Sequence, residues 1–203
     1  MKHFFKEGAK DHPVYLLFHG TGGNEEDLIP IVEHLDPKAS ILSFQGDVNE
    51  QGMLRFFKRL AMGILDEEDL KLRAEAMQTR LEELYETYEL HDHVKIALGY
   101  SNGANLIAGM LYLNLAPFDA VSLHHPMKPF KQITPTKLPP LKVMIHAGKY
   151  DNICPYDQVI DLKQALSNAG AHVKVYDYEG GHAMTQEELT QTAQAMKEVR
   201  KLL

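Results

Sequence analysis

Residues 94–115 read VKIALGYSNGANLIAGMLYLNL, and the order of residue types in this stretch decides the architecture. VKIAL, 94–98, is a short, nearly continuous apolar run, the pattern of a strand buried on both faces of a parallel sheet. LIAGMLYLNL, 106–115, reads as a helix. Between them stand Gly99, Tyr100, Ser101, Asn102 and Gly103. One reading makes Ser101 a helix N-cap between two turn glycines. The other makes it a nucleophile on a sharp strand-to-helix turn, where the glycines relieve crowding. With 14 glycines and five serines among 203 residues, Gly-x-Ser-x-Gly arises by chance roughly 0.02 times. Rarity and position together favour the nucleophile.

Working outward, further short apolar runs recur: VYLLF (14–18), ASILSF (39–44), AVSLH (120–124), KVMIHA (142–147) and HVKVYDY (172–178). KHFF near the start adds an edge strand. Helical patterns lie between the runs. In residues 66–90, Leu70, Ala74, Met77, Leu81, Leu84, Tyr85 and Tyr88 form one apolar stripe, and Asp66 is placed to cap it. Pro155 reads as the first position of a helix that Gly170 ends. Thr185 and Glu188 form a capping box before a last helix, where Leu189, Ala193, Met196 and Leu203 share a face. Strands alternating with helices predict an α/β fold with a mostly parallel central sheet and helices on both faces. The chain shows no repeat, linker or low-complexity tract, so one domain over 1–203 is expected. The proline-rich link at 127–141, MKPFKQITPTKLPPL, lacks a helical period and is too short for a cap domain.

Bulk composition narrows the function. Hydrophobic residues make up 44% and charged residues 24%, an ordinary globular balance. A net charge of −7 argues against a nucleic-acid surface, which needs clustered Lys and Arg. There is no apolar run of transmembrane length, so stable membrane insertion is not expected. MKHFFKEGAKDHP at the start lacks the apolar stretch of a secretory signal, and the single Cys154 leaves no intramolecular disulfide. A cytoplasmic location is the expectation.

In an open parallel sheet, ligands bind beyond the carboxyl ends of the strands, so residues just after each strand carry the chemistry. A serine hydroxyl needs a base, and His182 follows the last strand and the glycines Gly180 and Gly181. His172 starts a strand and His91 and His93 precede one, at the wrong end. Asp151, after KVMIHA, fits the order Ser, acid, His, with an Asx-type turn as its rival role. Asp177 and Glu179 lie too close to His182 along the chain. The loop His19-Gly20-Thr21-Gly22-Gly23-Asn24 lacks a P-loop lysine and Rossmann spacing, so it reads as an oxyanion loop rather than a phosphate cradle. The backbone amides of Thr21 and Asn102 are then the oxyanion donors. Met53, Phe56 and Phe57, within residues 45–65, offer either an apolar wall beside the serine or ordinary core. His124 and His125 end the 120–124 strand; one of them, with His125 the candidate, lines the pocket, or both play structural parts. His91-Asp92-His93 lacks a third ligand, so no metal site is expected. Cys154 reads as buried packing.

With these loops in order, the chain resembles the α/β-hydrolase superfamily. More narrowly, it resembles the carboxylesterase/phospholipase type that includes acyl-protein thioesterases and their bacterial relatives. HGTGGNEEDL (19–28), GYSNGAN (99–105), GKYDNICP (148–155) and GGHAMTQEEL (180–189) carry the likeness, and QGMLRFFKRL (51–60) followed by DEEDL fits the bacterial branch. The resemblance implies a Ser101–Asp151–His182 triad, oxyanion donors at Thr21 and Asn102, and hydrolysis of a small-molecule carboxylic ester without metal or organic cofactor. Cys154 departs from the aliphatic residue more usual there. Thioesterase, lysophospholipase and ring-cleavage-product hydrolase share the same transition state. A ligand sensor on a hydrolase scaffold would use the pocket without turnover, and has no need of all three side chains.

Overall fold

A computed structural model describes the backbone of residues 1–200 and the side chains of residues 1–197. Strands β1 (His3–Lys6), β2 (Val14–Phe18) and β3 (Ser40–Phe44) flank helix α1 (Ile29–Leu35). Two hairpins follow: β4 (Val48–Glu50) with β5 (Met53–Arg55), and β6 (Arg59–Ala61) with β7 (Ile64–Leu65). Then come α2 (Glu67–Thr87), β8 (Lys95–Tyr100), α3 (Asn102–Tyr112), β9 (Ala120–His124), β10 (Lys142–Gly148), α4 (Tyr156–Asn168), β11 (His172–Tyr178) and α5 (Gln186–Arg200). Seven strands form one sheet in the order β1-β3-β2-β8-β9-β10-β11. All neighbours are parallel except β1, which runs antiparallel on the edge against β3.

The continuous apolar runs are explained by burial on two faces. Val14, Leu16 and Phe18 of β2 join one core cluster with residues of α2, α3 and α4, while Tyr15 and Leu17 join another with Val32 of α1 and Met196 of α5. The α2 stripe packs as its spacing requires: Leu70, Ala74, Met77, Leu81, Leu84 and Tyr85 are all buried. Asp66 caps that helix, its carboxylate accepting from the Asp69 amide at 3.1 Å. The link at 127–141 carries no helix, and no cap domain covers the sheet edge.

Two local expectations change, and a third segment gains a definite form. Pro155 stands at the N-cap of α4 (φ −56, ψ 138), one residue before the helix rather than inside it. Residues 45–65, read as either an apolar wall or ordinary core, fold as two small hairpins. Most informatively, the buried face of α5 holds Glu188, Thr192, Ala195 and Met196, while Leu189 and Ala193 are only half-buried. Two polar side chains face inward because buried histidines receive them, as described below. Leu203, expected on that helix face, lies outside the described residues.

Candidate active site

Ser101 sits between β8 and α3 with φ 51 and ψ −109, a backbone conformation costing a non-glycine residue about 1–3 kcal/mol. Two glycines make the turn sterically possible. A Cβ at Gly103 would lie 2.1 Å from the Phe18 carbonyl oxygen, and one at Gly99 would lie 2.7 Å from the Ala104 nitrogen. The Gly103 amide donates to the His19 carbonyl at 3.1 Å, and the Ser101 amide to that of His124 at 2.8 Å. These bonds tie the turn to the ends of β2 and β9. The Ser101 side chain is left half-buried at the mouth of a cavity.

His182 arrives from the loop after β11 and Asp151 from the loop after β10. His182 Nε2 lies 2.8 Å from Ser101 Oγ, and its Nδ1 lies 2.7 Å from Asp151 Oδ2. An ionised carboxylate only accepts, so Nδ1 carries the proton and Nε2 presents its lone pair to the serine hydroxyl. Tyr100 donates its hydroxyl to the His182 carbonyl at 2.8 Å, fixing the loop from the end of β8. The other Asp151 oxygen accepts from the amides of Ile153 and Cys154 at 2.8 and 2.9 Å. Burial pushes the Asp151 carboxyl up, but the Cys154 amide, His182 and the Ile153 amide outweigh it and hold the group below its ordinary range.

The loop after β2 is held by His19. Its Nδ1 donates to the Gly20 carbonyl at 2.5 Å and its Nε2 accepts from the Gly46 amide at 2.9 Å, a neutral ring that burial favours. Thr21 and Asn102 line the cavity with Ser101. Their backbone amides have no hydrogen-bond partner among the described residues, which leaves two donors open beside the serine. The Asn102 side chain does separate work: its Oδ1 accepts from the Phe56 amide at 2.7 Å and binds the first hairpin to the turn. On the same side, the Arg55 guanidinium donates to Thr21 Oγ1 at 2.5 Å and to the Phe57 carbonyl at 3.1 Å.

The cavity encloses about 290 Å³; Met53, Met62, Leu65, Met127 and Ile153 give it an apolar wall, with Arg55 and Arg59 on one side. Met53 therefore stands where a wall residue was expected. Phe56 and Phe57 do not: both are fully buried in the core cluster, because the chain turns inward after β5. His125 is also absent from the cavity lining, being turned behind Asp151. Cys154 touches the cavity, and burial pushes its thiol well above the ordinary range, leaving it protonated. His91 is paired with Glu86 at the surface.

Sequence reasoning missed the layer behind Asp151. His124, His125, His146, Glu188 and Thr192 are all buried and linked by hydrogen bonds. One signal was available: parallel pairing sets His146 opposite His124, stacking the rings at 4.4 Å. Glu188 had none, since its capping-box role is also real, with reciprocal bonds to Thr185 at 3.1 and 3.2 Å.

This architecture, a mostly parallel sheet with a glycine-flanked serine turn at its carboxyl edge, is that of the α/β-hydrolase fold. The Dienelactone hydrolase family model matches residues 44–201, and the chain belongs to that family. A carboxylesterase structure from Bacillus cereus superposes with a TM-score of 0.94 at 41% identity, covering 98% of this chain and 94% of that one. The structure of YahD with malic acid gives 0.92 at 33% identity, covering 98% of each chain. MhqD of Bacillus subtilis (strain 168), whose name calls it a hydrolase, is 42% identical over 198 residues, 98% of either chain. The chain is thus a hydrolase of the dienelactone hydrolase and carboxylesterase type.

Proposed function

We propose that this chain is a serine hydrolase of carboxylic esters with Ser101, His182 and Asp151 as its triad. The observation that carries the reading is the continuous relay from Asp151 through His182 to Ser101, with contacts of 2.7 and 2.8 Å, ending at an accessible cavity. Ser101 Oγ attacks the ester carbonyl while His182 Nε2 takes its proton, and Asp151 stabilises the imidazolium that forms. Negative charge on the tetrahedral oxygen is received by the amides of Thr21 and Asn102, each such donor being worth about 3 kcal/mol of barrier. His182 returns the proton to the leaving alkoxide, and the acyl-enzyme forms. Water, deprotonated by the same histidine, then releases the acid and regenerates Ser101. The residues present need no metal or organic cofactor for these steps.

The substrate in this reading is a small ester with a short or medium acyl group. A cavity of about 290 Å³ without a cap domain suits such a group better than the long chains of a triglyceride. The narrower kinship with phospholipase/carboxylesterase enzymes of the bacterial branch belongs to the same reading, supported by the carboxylesterase neighbour. So do a single domain and a cytoplasmic setting; no helix among the described residues is long and apolar enough to cross a membrane. Thioesters and lysophospholipids would pass through the same transition state and differ only in how they fill the cavity. Rates over a series of p-nitrophenyl esters, with thioesters and lysophospholipids alongside, test the assignment. A maximum at short or medium acyl esters supports it; turnover confined to long chains, or to none of these, contradicts it.

A further inference from the structure

His125 is buried, is not among the residues lining the cavity, and adopts φ 53, a left-handed conformation uncommon for residues other than glycine. Its amide donates to the His146 carbonyl at 2.8 Å, so the turn is locked in place just after β9. That turn sends the ring behind Asp151. Nδ1 lies 3.1 Å from Asp151 Oδ2, the same oxygen that His182 uses. On the far side, Nε2 lies 3.3 Å from Glu188 Oε2 and 3.2 Å from Oε1. Glu188 Oε1 also faces His124 Nδ1 at 2.8 Å, and its Oε2 accepts from the Thr185 amide at 3.1 Å.

Ionised carboxylates offer only lone pairs. A neutral imidazole would aim one lone pair at a carboxylate, whereas an imidazolium donates at both ends. We infer that His125 is a positioning residue for the Ser101 reaction: a buried imidazolium clamped between Glu188 and Asp151, fixing the carboxylate on which His182 depends. The inference rests on the serine-hydrolase reading of that site. Burial alone would push the His125 ring down, but Glu188 and Asp151 outweigh it and hold it above the ordinary value. Glu188 is held far below the usual carboxylate range, since its histidine partners overcome the effect of burial.

The charges explain why such a clamp is useful. At rest, Asp151 and Glu188 are anionic, His125 is cationic and His182 is neutral, so the layer carries one net negative charge. Proton transfer from Ser101 to His182 brings that layer to zero. Without the His125 cation, two buried carboxylates would stand unopposed behind the serine's base, an arrangement costly to bury and electrostatically different before and after proton transfer. The other titratable groups facing His125 are His182 and Tyr100, with ring centroids at 5.2 and 5.9 Å, together with His124, His146 and the Cys154 thiol beyond Asp151. Burial favours the neutral form of His124, His146, Tyr100 and Cys154 alike, which leaves His125 as the cation.

Nitrogen NMR of the 15N-labelled, unmodified protein reads this charge directly. Recorded just above the ordinary histidine pKa of about 6.5, both His125 ring nitrogens should keep the protonated shift. His125→Gln supplies the kinetic arm, since its amide still donates to a carboxylate but carries no charge. The variant should lose about tenfold in kcat with little change in KM. The acidic limb of its kcat/KM profile should move up by about one pH unit. A neutral-tautomer pattern for His125, or a folded variant with unchanged kcat and pH profile, overturns the inference. Fluorophosphonate labelling of the wild type separates the two levels. If Ser101 is labelled while His125 is neutral, only the clamp fails; an unlabelled Ser101 takes the reading beneath it down as well.

Discussion

The loops at the carboxyl ends of β2, β8, β10 and β11 and the two hairpins at residues 48–65 face the same cavity but are built on opposite terms. Ser101, His182 and Asp151 come from loops whose backbones are bonded to neighbouring strands, and every oxygen of Asp151 is occupied. The hairpins touch the sheet edge through a few bonds, such as Phe56 to Asn102 and Gly22 to Leu54, and leave Leu60, Met62 and Ile64 exposed. One region holds atoms to within a hydrogen bond; the other supplies apolar shape. Under the proposed function, reaction and choice of substrate fall to separate parts of the chain, and each should be alterable with little effect on the other.

The sharpest way to break that division is at the loops. Ser101→Ala should reduce kcat about 10⁶-fold without loss of fold, because the residual activity then comes from binding and the open amides alone. Asp151→Asn should cost about 10⁴-fold in kcat, the wrong histidine tautomer being favoured. The same variant tests a pH effect on stability. A carboxyl held below its ordinary range stabilises the fold above the unfolded pKa of about 3.9, and that contribution is lost as pH falls through the lowered folded value. Melting curves of Asp151→Asn should therefore vary less with pH across this acid range than those of the wild type.

The hairpin segment divides further, and two substitutions expose it. Phe57→Ala should destabilise by about 3–5 kcal/mol in denaturant unfolding, as expected for a fully buried aromatic. Met53→Ala, on the cavity wall, should leave stability within about 0.5 kcal/mol, because the side chain is 40% exposed. Its effect belongs to selectivity: about tenfold or less in the ratio of rates between neighbouring acyl lengths. Smallest of all, iodoacetamide should leave Cys154 unmodified at neutral pH, since burial keeps its thiol protonated. Equal losses of activity and stability at Phe57 and Met53 would erase the distinction between core and wall.

What the sequence disclosed follows from where physical signals are local. Strand runs buried on both faces, the α2 stripe and the glycines around Ser101 each require particular residues at fixed spacing, so the sheet, its helices and the serine turn were legible. His182 and Asp151 were legible as positions after strands, and the structure brings both to Ser101. Phe56 and Phe57 were ambiguous because an apolar residue in a loop gives no sign of which way the chain turns. The two polar side chains on the buried face of α5 were invisible for a different reason. Glu188 and Thr192 look like surface residues, and only the tertiary structure sets them against His124, His125 and His146.

One measurement bears most directly on the nucleophile. A fluorophosphonate probe followed by peptide mass spectrometry should find the adduct on Ser101 in the wild type. Ser101→Ala should carry none, and His182→Ala should label far more slowly. Finding the adduct on another residue, or labelling of His182→Ala at the wild-type rate, would contradict a serine activated by that histidine.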